Sequence, residues 1–368
     1  MKKLKTVILA SIFILLYSNT ILAQPEIDKI MAAAEAGYAQ AQCDLGKLYY
    51  EGRENFARDE KMAAKWWLKA AEQNVAEAQL LIGIAYTLGT GVEKNYEKAV
   101  YWKTKAAEQG DLAATLTLGD HYARGIGIAQ NPQKAFALYK IVADRGYGEG
   151  LYRIGTCYFL GMGVSKDISA GIDWYKKAAN TNHPGAQNAL VNYYYKENNF
   201  REALFWGTKL AESGEPEAQI LVGEFYLNGI GTAINEEEGL KYLLSLIDKK
   251  EPVHSATATK VLATYYAEVK KDFTTAIKWF EYTANEGDLD AISSIVYIYY
   301  SGQYGSKADA DKWLELGAKL GEGHCEAIFG KKLYDNGEKE KGLALINKAA
   351  KSGNALAQKV LSDIKKSQ

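Results

Sequence analysis

The side chains of this sequence that could act in hydrolysis or bind a metal are few and widely separated. The four histidines are His121, His183, His254 and His324. Metal-dependent or nucleophilic hydrolysis needs histidines, cysteines and carboxylates that converge on one point. A zinc-protease motif would place two histidines four residues apart around a glutamate, and no pair has that spacing. The sequence therefore offers no motif for hydrolysis, and we expect no enzymatic activity, no metal and no cofactor.

The three cysteines also lack the pattern of a reactive or cross-linked site. Cys325 lies in the densest group, His324-Cys325-Glu326, but it occupies a position at which related segments have a small residue. We interpret it as a packing residue, with a catalytic or metal role as the alternative. Cys43 and Cys157 fall in helices predicted to be three repeats apart. Since stacked helices lie about 8 to 10 Å apart, these cysteines cannot reach the roughly 4.4 to 6.8 Å between Cα atoms of a disulfide. We expect unpaired thiols.

Pairs of glycines recur in four short segments, which begin at Gly89, Gly125, Gly161 and Gly229. A Gly-x-Gly sequence can cradle a phosphate, but no strand precedes these pairs and the full dinucleotide or P-loop spacing is absent. The interpretation that we favour is structural. Glycine adopts the left-handed conformation that ends one helix and lets the next fold back.

A repeat of about 36 residues positions all these side chains. Its copies align on a small or apolar residue, at Gly46, Gly83, Gly119, Gly155, Val191, Gly223, Ala263, Val296 and Gly330. The residue five positions earlier is small, the preceding residue is apolar, and a tyrosine follows three positions later in all but the last copy. This spacing of four places the side chains on one stripe of a helix, which we call the A helix. A glycine inside a helix costs about 1 kcal/mol relative to alanine, so its recurrence predicts close approach by a second helix.

That second helix, the B helix, is marked by an alanine, an aromatic residue about three positions later, and then Lys-Ala-Ala. The aromatic positions are Trp66, Trp102, Trp174, Trp206, Tyr242, Trp279 and Trp313. Small residues let the two helices of a hairpin approach, and large rings fill the space between hairpins. Each hairpin leaves an apolar face that only a neighbouring hairpin can cover. The pattern therefore predicts an all-α solenoid of about nine helix-turn-helix repeats.

The repeat is irregular in the middle of the chain. Val191 and Gly223 are 32 residues apart, whereas Gly223 and Ala263 are 40 residues apart. A change in spacing alters the pitch of a superhelix and can create a local binding feature. Sequence drift without functional consequence is the alternative interpretation.

The first 23 residues have the pattern of a secretory signal peptide, with three lysines before an apolar run and Ala23 before the expected cleavage site. The run is shorter than the roughly 20 residues of a membrane-spanning helix, so we expect an exported protein, periplasmic or secreted, without a transmembrane segment once the signal is removed. The predicted organisation is a signal peptide (1–23), an N-terminal capping helix (24–37), nine repeats (38–354) and a C-terminal capping helix (355–368).

Composition narrows the classes of partner. The chain has 368 residues, 48% of them hydrophobic, and 44 basic against 45 acidic residues. This apolar content predicts a folded protein rather than a disordered one. No basic block of the kind that binds nucleic acid is present, so we expect no nucleic-acid partner.

The pattern A-x-x-x-L-G-x-x-Y-x-x-G-x-G-V, followed by K-A-x-x-W-x-x-K-A-A-x-x-G, resembles the Sel-1-like repeat, a relative of the tetratricopeptide repeat. The resemblance covers nearly the whole chain after the signal and is strongest from Ala41 to Asn182 and from Ala218 to Thr232. Segments around Val191, Ala263 and Val296 lack the glycines. The resemblance implies a right-handed α/α superhelix and an adaptor role in protein complexes, often in the cell envelope.

Three functional hypotheses follow. The first is a non-enzymatic exported scaffold that binds a protein or peptide on its concave face, in cell-envelope assembly or signalling. The second is an envelope enzyme such as a β-lactam or peptidoglycan hydrolase, which would require a convergent nucleophile and base. The third is binding of peptidoglycan or muropeptide fragments without turnover.

The candidate binding residues lie on the A-helix face opposite the packed stripe, at about 140 to 200° from it. Many are tyrosines, which bury a large area with few rotors and keep a hydrogen-bonding tip. The predicted partner-binding residues are Lys47, Tyr50, Tyr152, Phe159, Asn192, Tyr195, Glu224, Tyr297, Tyr300 and Tyr334, and Lys260 holds an equivalent position. Packing between neighbouring A helices is the alternative role for each of them.

Overall fold

The computed structural model describes residues 24–52, 56–248, 252–302 and 304–366. These ranges form twenty α-helices and contain no β-strand. The signal peptide predicted at residues 1–23 lies outside the described residues. No helix in the described part combines the length and the apolar character that crossing a membrane requires.

The helices alternate between the two predicted types. The A helices are α2 (Ala39–Glu51), α4 (Ala76–Leu88), α6 (Leu112–Arg124), α8 (Gly148–Leu160), α10 (Pro184–Lys196), α12 (Pro216–Asn228), α14 (Pro252–Thr264), α16 (Leu289–Tyr300), α18 (Gly323–Asp335) and α20 (Ala355–Lys366). The B helices are α1 (Gln24–Glu35), α3 (Glu60–Glu72), α5 (Tyr96–Glu108), α7 (Pro132–Asp144), α9 (Ile168–Ala179), α11 (Phe200–Glu212), α13 (Glu236–Asp248), α15 (Phe273–Ala284), α17 (Asp311–Leu320) and α19 (Lys339–Lys351). A π-helix (Tyr265–Val269) extends α14, and a 3₁₀ turn (Lys307–Ala310) precedes α17.

The chain divides into two compact units between Leu190 and Val191. The first unit contains α1 to α9 and the start of α10, and the second contains the remainder of α10 and the helices that follow. Within each unit, successive helices other than α10 pack against each other. The predicted all-α solenoid is confirmed.

The recurring glycine of the A helix is where the B helix comes closest. A Cβ atom added to Gly119 would lie 2.6 Å from Cε1 of Tyr139, and one added to Gly155 would lie 2.6 Å from Cδ1 of Tyr175. Real Cβ atoms do not approach that closely, so only glycine allows these rings to fit. The predicted close approach is confirmed. The residue that faces the glycine follows the predicted ring position by one.

The glycine pairs in the turns serve two purposes. Gly89 has a φ of +74° and ends α4, as predicted. Gly91 has a φ of +69°, and a Cβ atom on it would overlap the carbonyl group of Glu60, the first residue of α3. The same overlap with the start of the preceding B helix would occur at Gly127, Gly163 and Gly231. The second glycine therefore makes a backbone contact between successive hairpins, which the sequence analysis did not predict.

The predicted rings of the B helices are buried or half-buried, and lysines cover several of them. Lys69 lies three residues after Trp66, and its Nζ is 4.2 Å from the ring centroid; for Lys177 and Trp174 this distance is 4.1 Å. A helical spacing of three brings the ammonium group over the ring, where cation–π attraction stabilises it. The recurring lysine of the pattern is thus explained by the ring before it.

A glutamine on the A helix links several hairpins. Gln42 donates to the carbonyl oxygen of Ala34 (3.2 Å) and Gln79 to that of Ala71 (3.1 Å), and both side chains are buried. Such bonds satisfy carbonyls that the C-terminus of a helix leaves open. The sequence signal was the dipeptide Ala-Gln at the small-residue position, which the repeat search did not use.

Candidate functional site

The predicted binding residues fall into both units and differ widely in exposure. Lys47, Tyr50, Tyr152 and Phe159 belong to the first unit, and the other six to the second. Tyr297 is 74% exposed and Tyr195 49% exposed, whereas Lys47 is only 9% exposed. Asn192 is exposed, and the remaining predicted residues are half-buried. These residues do not form one cluster in either unit, so each group is described separately.

In the first unit, Tyr152 is part of a group of stacked rings. Its ring centroid lies 5.5 Å from that of Tyr175 and 4.9 Å from that of His183, with interplanar angles of 30° and 22°. Phe159 also contacts Tyr175, at 6.0 Å between centroids. The hydroxyl group of Tyr175 donates to Oγ1 of Thr156 (3.1 Å). These contacts give Tyr152 and Phe159 a structural role beside any role in binding.

A chain of charged groups runs beside these rings. Arg153 on α8 lies 3.4 Å from Asp120 on α6 and 2.8 Å from Glu149 on its own helix. Nε2 of His183 is 2.8 Å from Glu149, and Nδ1 of His183 accepts the backbone N–H of Ala186. His183 therefore donates through Nε2. Burial alone would raise the pKa of Glu149, but the hydrogen bond from His183 and the charge of Arg153 hold it below its usual value.

The same kind of ion pair recurs between A helices. An acid six positions before the residue on which the repeats align pairs with a lysine or histidine of the preceding or the next repeat. The pairs are Lys47–Glu77 (2.7 Å), His183–Glu149 (2.8 Å), His254–Glu217 (3.2 Å) and Lys260–Asp290 (2.8 Å). The sequence signal for this arrangement is the repeated acid, which was missed because the search followed apolar positions.

The pair at Lys47 includes the one group of three described side chains that could hold a metal, Cys43, Asp44 and Glu77. Burial raises the pKa of the Cys43 thiol far above its usual value. Lys47 contacts both carboxylates, at 3.0 Å from Asp44 and 2.7 Å from Glu77. A protonated thiol is a poor metal ligand, and the ammonium group already neutralises the acids. These residues hold two A helices together.

Lys103 is a second group that sequence reasoning missed. It is 3% exposed and occupies the position at which other B helices place a ring or leucine against the glycine. Its Nζ lies 2.9 Å from Oγ1 of Thr87 and 3.0 Å from Nε2 of His121. Nδ1 of His121 lies 2.6 Å from the carbonyl oxygen of Ile126, so Nδ1 donates there and Nε2 accepts from Lys103. Burial lowers the pKa of Lys103 to about 8.

The cysteines are unpaired and buried, as predicted. Burial raises the pKa of Cys157 to about 11 and that of Cys325 well above its usual value. Sγ of Cys325 lies 2.5 Å from where a Cβ atom on Gly317 would be, which agrees with its interpretation as a packing residue. Nucleophilic cysteines need a stabilised thiolate, and these environments disfavour one.

In the second unit, a cleft lies between α12, α14 and the π-helix. Its volume is about 350 Å³, and its walls are formed by Glu224, Asn228, Thr257, Lys260, Val261, Thr264, Tyr265, Glu268 and Val269. Glu224 and Lys260 are among the residues predicted from the sequence, whereas Glu268 is not. The longest spacing of the repeat ends at Ala263, and the π-helix that lines the cleft begins two residues later, at Tyr265.

Two predicted binding rings of this unit are exposed, whereas those of the first unit are half-buried. Tyr195 stacks on Phe225 at 6.0 Å and contacts Phe200 edge-on at 5.5 Å, but remains half exposed. Lys307 lies 5.3 Å from the ring centroid of Tyr300, and Lys339 lies 5.7 Å from that of Tyr334. Tyr297 is the most exposed of the predicted aromatic residues.

Comparison with known families identifies a repeat on most of these hairpins. The model of the Sel1 repeat matches residues 39–75, 76–111, 113–147, 148–183, 216–250 and 262–288. Together these six segments make up more than half of the chain.

Two bacterial relatives share part of the sequence. An uncharacterized protein of Neisseria meningitidis serogroup B is 29% identical over 159 residues, which are 42% of this chain and 31% of that protein. An exopolysaccharide production negative regulator of Rhizobium leguminosarum biovar viciae is 27% identical over 170 residues, 42% of this chain and 64% of that protein. The chain thus spans less than two thirds of the length of either relative.

Solved structures share the fold. A protective antigen of uropathogenic Escherichia coli strains, which displays an SLR fold, is 27% identical with a TM-score of 0.64, over 90% of this chain and 73% of that one. A Sel1 repeat protein from Oxalobacter formigenes is 28% identical with a TM-score of 0.51, over 59% of this chain and 96% of that one.

Proposed function

The chain belongs to the Sel1-repeat family, and from this we propose that it is an exported, non-catalytic scaffold that binds a protein or peptide on the A-helix face predicted to be concave. Repeats of this family generally mediate protein–protein interactions, and the matching family and structures indicate no catalytic family. The envelope location and the identity of the partner class are parts of this proposal.

The proposed binding surface rests on the exposure of two tyrosines. Tyr297 and Tyr195 lie on A helices of the second unit and are 74% and 49% exposed, although both are large rings on helices that are otherwise packed. Exposed tyrosines of this kind serve as anchors in protein interfaces because a partner can bury the ring and bond the hydroxyl group. Burial raises the pKa of all three thiols, which argues against a hydrolase with a cysteine nucleophile.

The test compares two double variants of the full chain. Tyr195→Ser/Tyr297→Ser removes the A-helix rings, and Tyr101→Ser/Tyr282→Ser removes two rings of B helices that are 51% and 48% exposed. Crosslinking and mass spectrometry on the purified protein in envelope extracts would measure partner capture. We expect the A-helix variant to lose about tenfold or more of the capture and the B-helix variant to keep it.

Equal capture by both variants would show that the A-helix rings do not bind the partner. Glycan binding would be favoured instead by two results together. The unmodified chain would capture no protein, and its Trp fluorescence would respond to purified muropeptides while that of the A-helix variant would not. Circular dichroism must show the same helicity for both variants, because the substituted rings are on the surface.

A further inference from the structure

We propose that the cleft between α12, α14 and the π-helix binds a lysine or arginine side chain of a peptide partner. This inference rests on the proposed function, because it assigns one contact within the peptide-binding face. The shape of the cleft, its charge and the apolar residues in its walls all fit such a side chain.

The cleft is large enough for one long side chain. Its volume of about 350 Å³ is near the lower end of ligand pockets, which are about 300 to 1,000 Å³. The end of α12 and the second half of α14, which are both A helices, form part of its wall. The π-helix forms the rest of the wall, and such insertions into α-helices occur frequently at functional sites.

The charge of the cleft favours a cation. Glu224 and Glu268 line it, and neither makes an ion pair with another described residue. Lys260 also lines it, but its ammonium group is 2.8 Å from Asp290 and 3.7 Å from Asp288. The acids therefore outnumber the single cation, and an arriving guanidinium or ammonium group would meet two carboxylates without displacing an existing pair.

Apolar walls make the occupant a side chain rather than a bare ion. Val261, Tyr265 and Val269 line the same cleft and can contact the aliphatic stem of lysine or arginine. Among the described residues, the group close enough together to hold a metal ion lies at Cys43, in the other unit. An organic cation with an apolar stem fits both features of the cleft.

The experiment measures binding of fluorescein-labelled pentaarginine to the full chain by fluorescence anisotropy, with pentacitrulline as the uncharged probe. The cleft variant is Glu224→Gln/Glu268→Gln. The control is Glu237→Gln/Glu340→Gln, which removes the same charge from exposed positions of the second unit outside the cleft. We expect the cleft variant to bind pentaarginine about tenfold more weakly and the control to bind it like the unmodified chain.

Equal weakening in both variants would mean that only overall charge matters, and the assignment would be overturned. Binding of pentacitrulline as tight as that of pentaarginine would overturn it too. Because partner capture is measured separately with the tyrosine variants, this failure would leave the scaffold proposal standing. If the tyrosine variant lost partner capture and the cleft variant kept it, the assignment of the cleft would be refuted and the scaffold proposal would stand.

Discussion

At the scale of single residues, Lys103 shows how one position can depart from the repeat. Its equivalents at Tyr139 and Tyr175 place rings against a glycine, and Lys103 places its stem against Gly83 instead. The ammonium group then lies inside the hairpin, bonded only to neutral groups, Thr87 and His121. Burial of a charge without a carboxylate partner is costly and disfavours the protonated form.

This leads to a prediction about stability and pH. The pKa of Lys103 is about 8 in the folded protein against 10.5 for a lysine exposed to water, so the unfolded chain binds more protons between those pH values. The free energy of unfolding should therefore rise with pH across this window, by at most about 3 kcal/mol. Lys103→Met should remove that rise. Urea unfolding followed by circular dichroism at pH 7.5, 9 and 10.5 would measure it.

Lys98→Met is the matched control, because Lys98 is an exposed lysine on the same helix. The urea midpoint of the unmodified chain minus that of Lys103→Met should increase with pH. The same subtraction for Lys98→Met should give a value that does not change with pH. A parallel pH dependence in both variants would exclude Lys103 as its source.

At the scale of helices and turns, the second glycine of each turn joins one hairpin to the one before it. Gly127 lies against the carbonyl group of Tyr96, the first residue of α5, and its φ is +72°. Gly110 has a similar φ of +87°, but nothing lies within 4 Å of where its Cβ would be. These two glycines therefore separate the cost of the backbone conformation from that of the contact.

We expect Gly127→Ala to destabilise the protein more than Gly110→Ala. The left-handed conformation costs about 1 to 2 kcal/mol for alanine at either position. At Gly127 the added methyl group must also push away the backbone of α5, which adds about 1 to 3 kcal/mol. Thermal unfolding monitored at 222 nm compares the two variants. Similar losses of stability would show that the contact between hairpins contributes little.

The sequence predicted the elements better than it predicted their side-chain contacts. Gly119, the buried ring of Trp66 and the turn at Gly89 follow from helical spacing and from glycine's backbone freedom, both of which are local. Lys103, the bond from Gln79 to Ala71 and the pairing of Glu149 with His183 join groups on different helices. Their geometry depends on how hairpins stack, so the residue types alone could not locate them. The cleft was foreseen only as an irregular spacing before Ala263.

At the scale of the whole molecule, the described units bury most of the groups that chemistry would require. The thiols are unpaired and buried, and Lys47, His183 and Lys260 pair with acids of neighbouring A helices. What remains accessible is a surface with exposed rings and one acidic cleft. Such a surface suits recognition, as the family assignment also indicates.

The proposal of export gives a prediction for the complete chain. The apolar segment before Ala23 should direct secretion and then be removed, so that the mature protein begins at Gln24. Intact-mass measurement on protein recovered from the envelope or medium would test this. A mass that includes residues 1–23 would contradict cleavage, and retention of the protein in the cytoplasm would contradict export.

The contact made by the second turn glycine has a consequence for how such chains change in length. Gly127 touches the backbone of Tyr96 and Gly163 touches that of Pro132, so the same contact is made to two unrelated side-chain types. Because the partner is a carbonyl group, the contact does not depend on the neighbour's identity. A whole segment of about 36 residues can therefore be lost or duplicated by recombination while the new neighbours still fit.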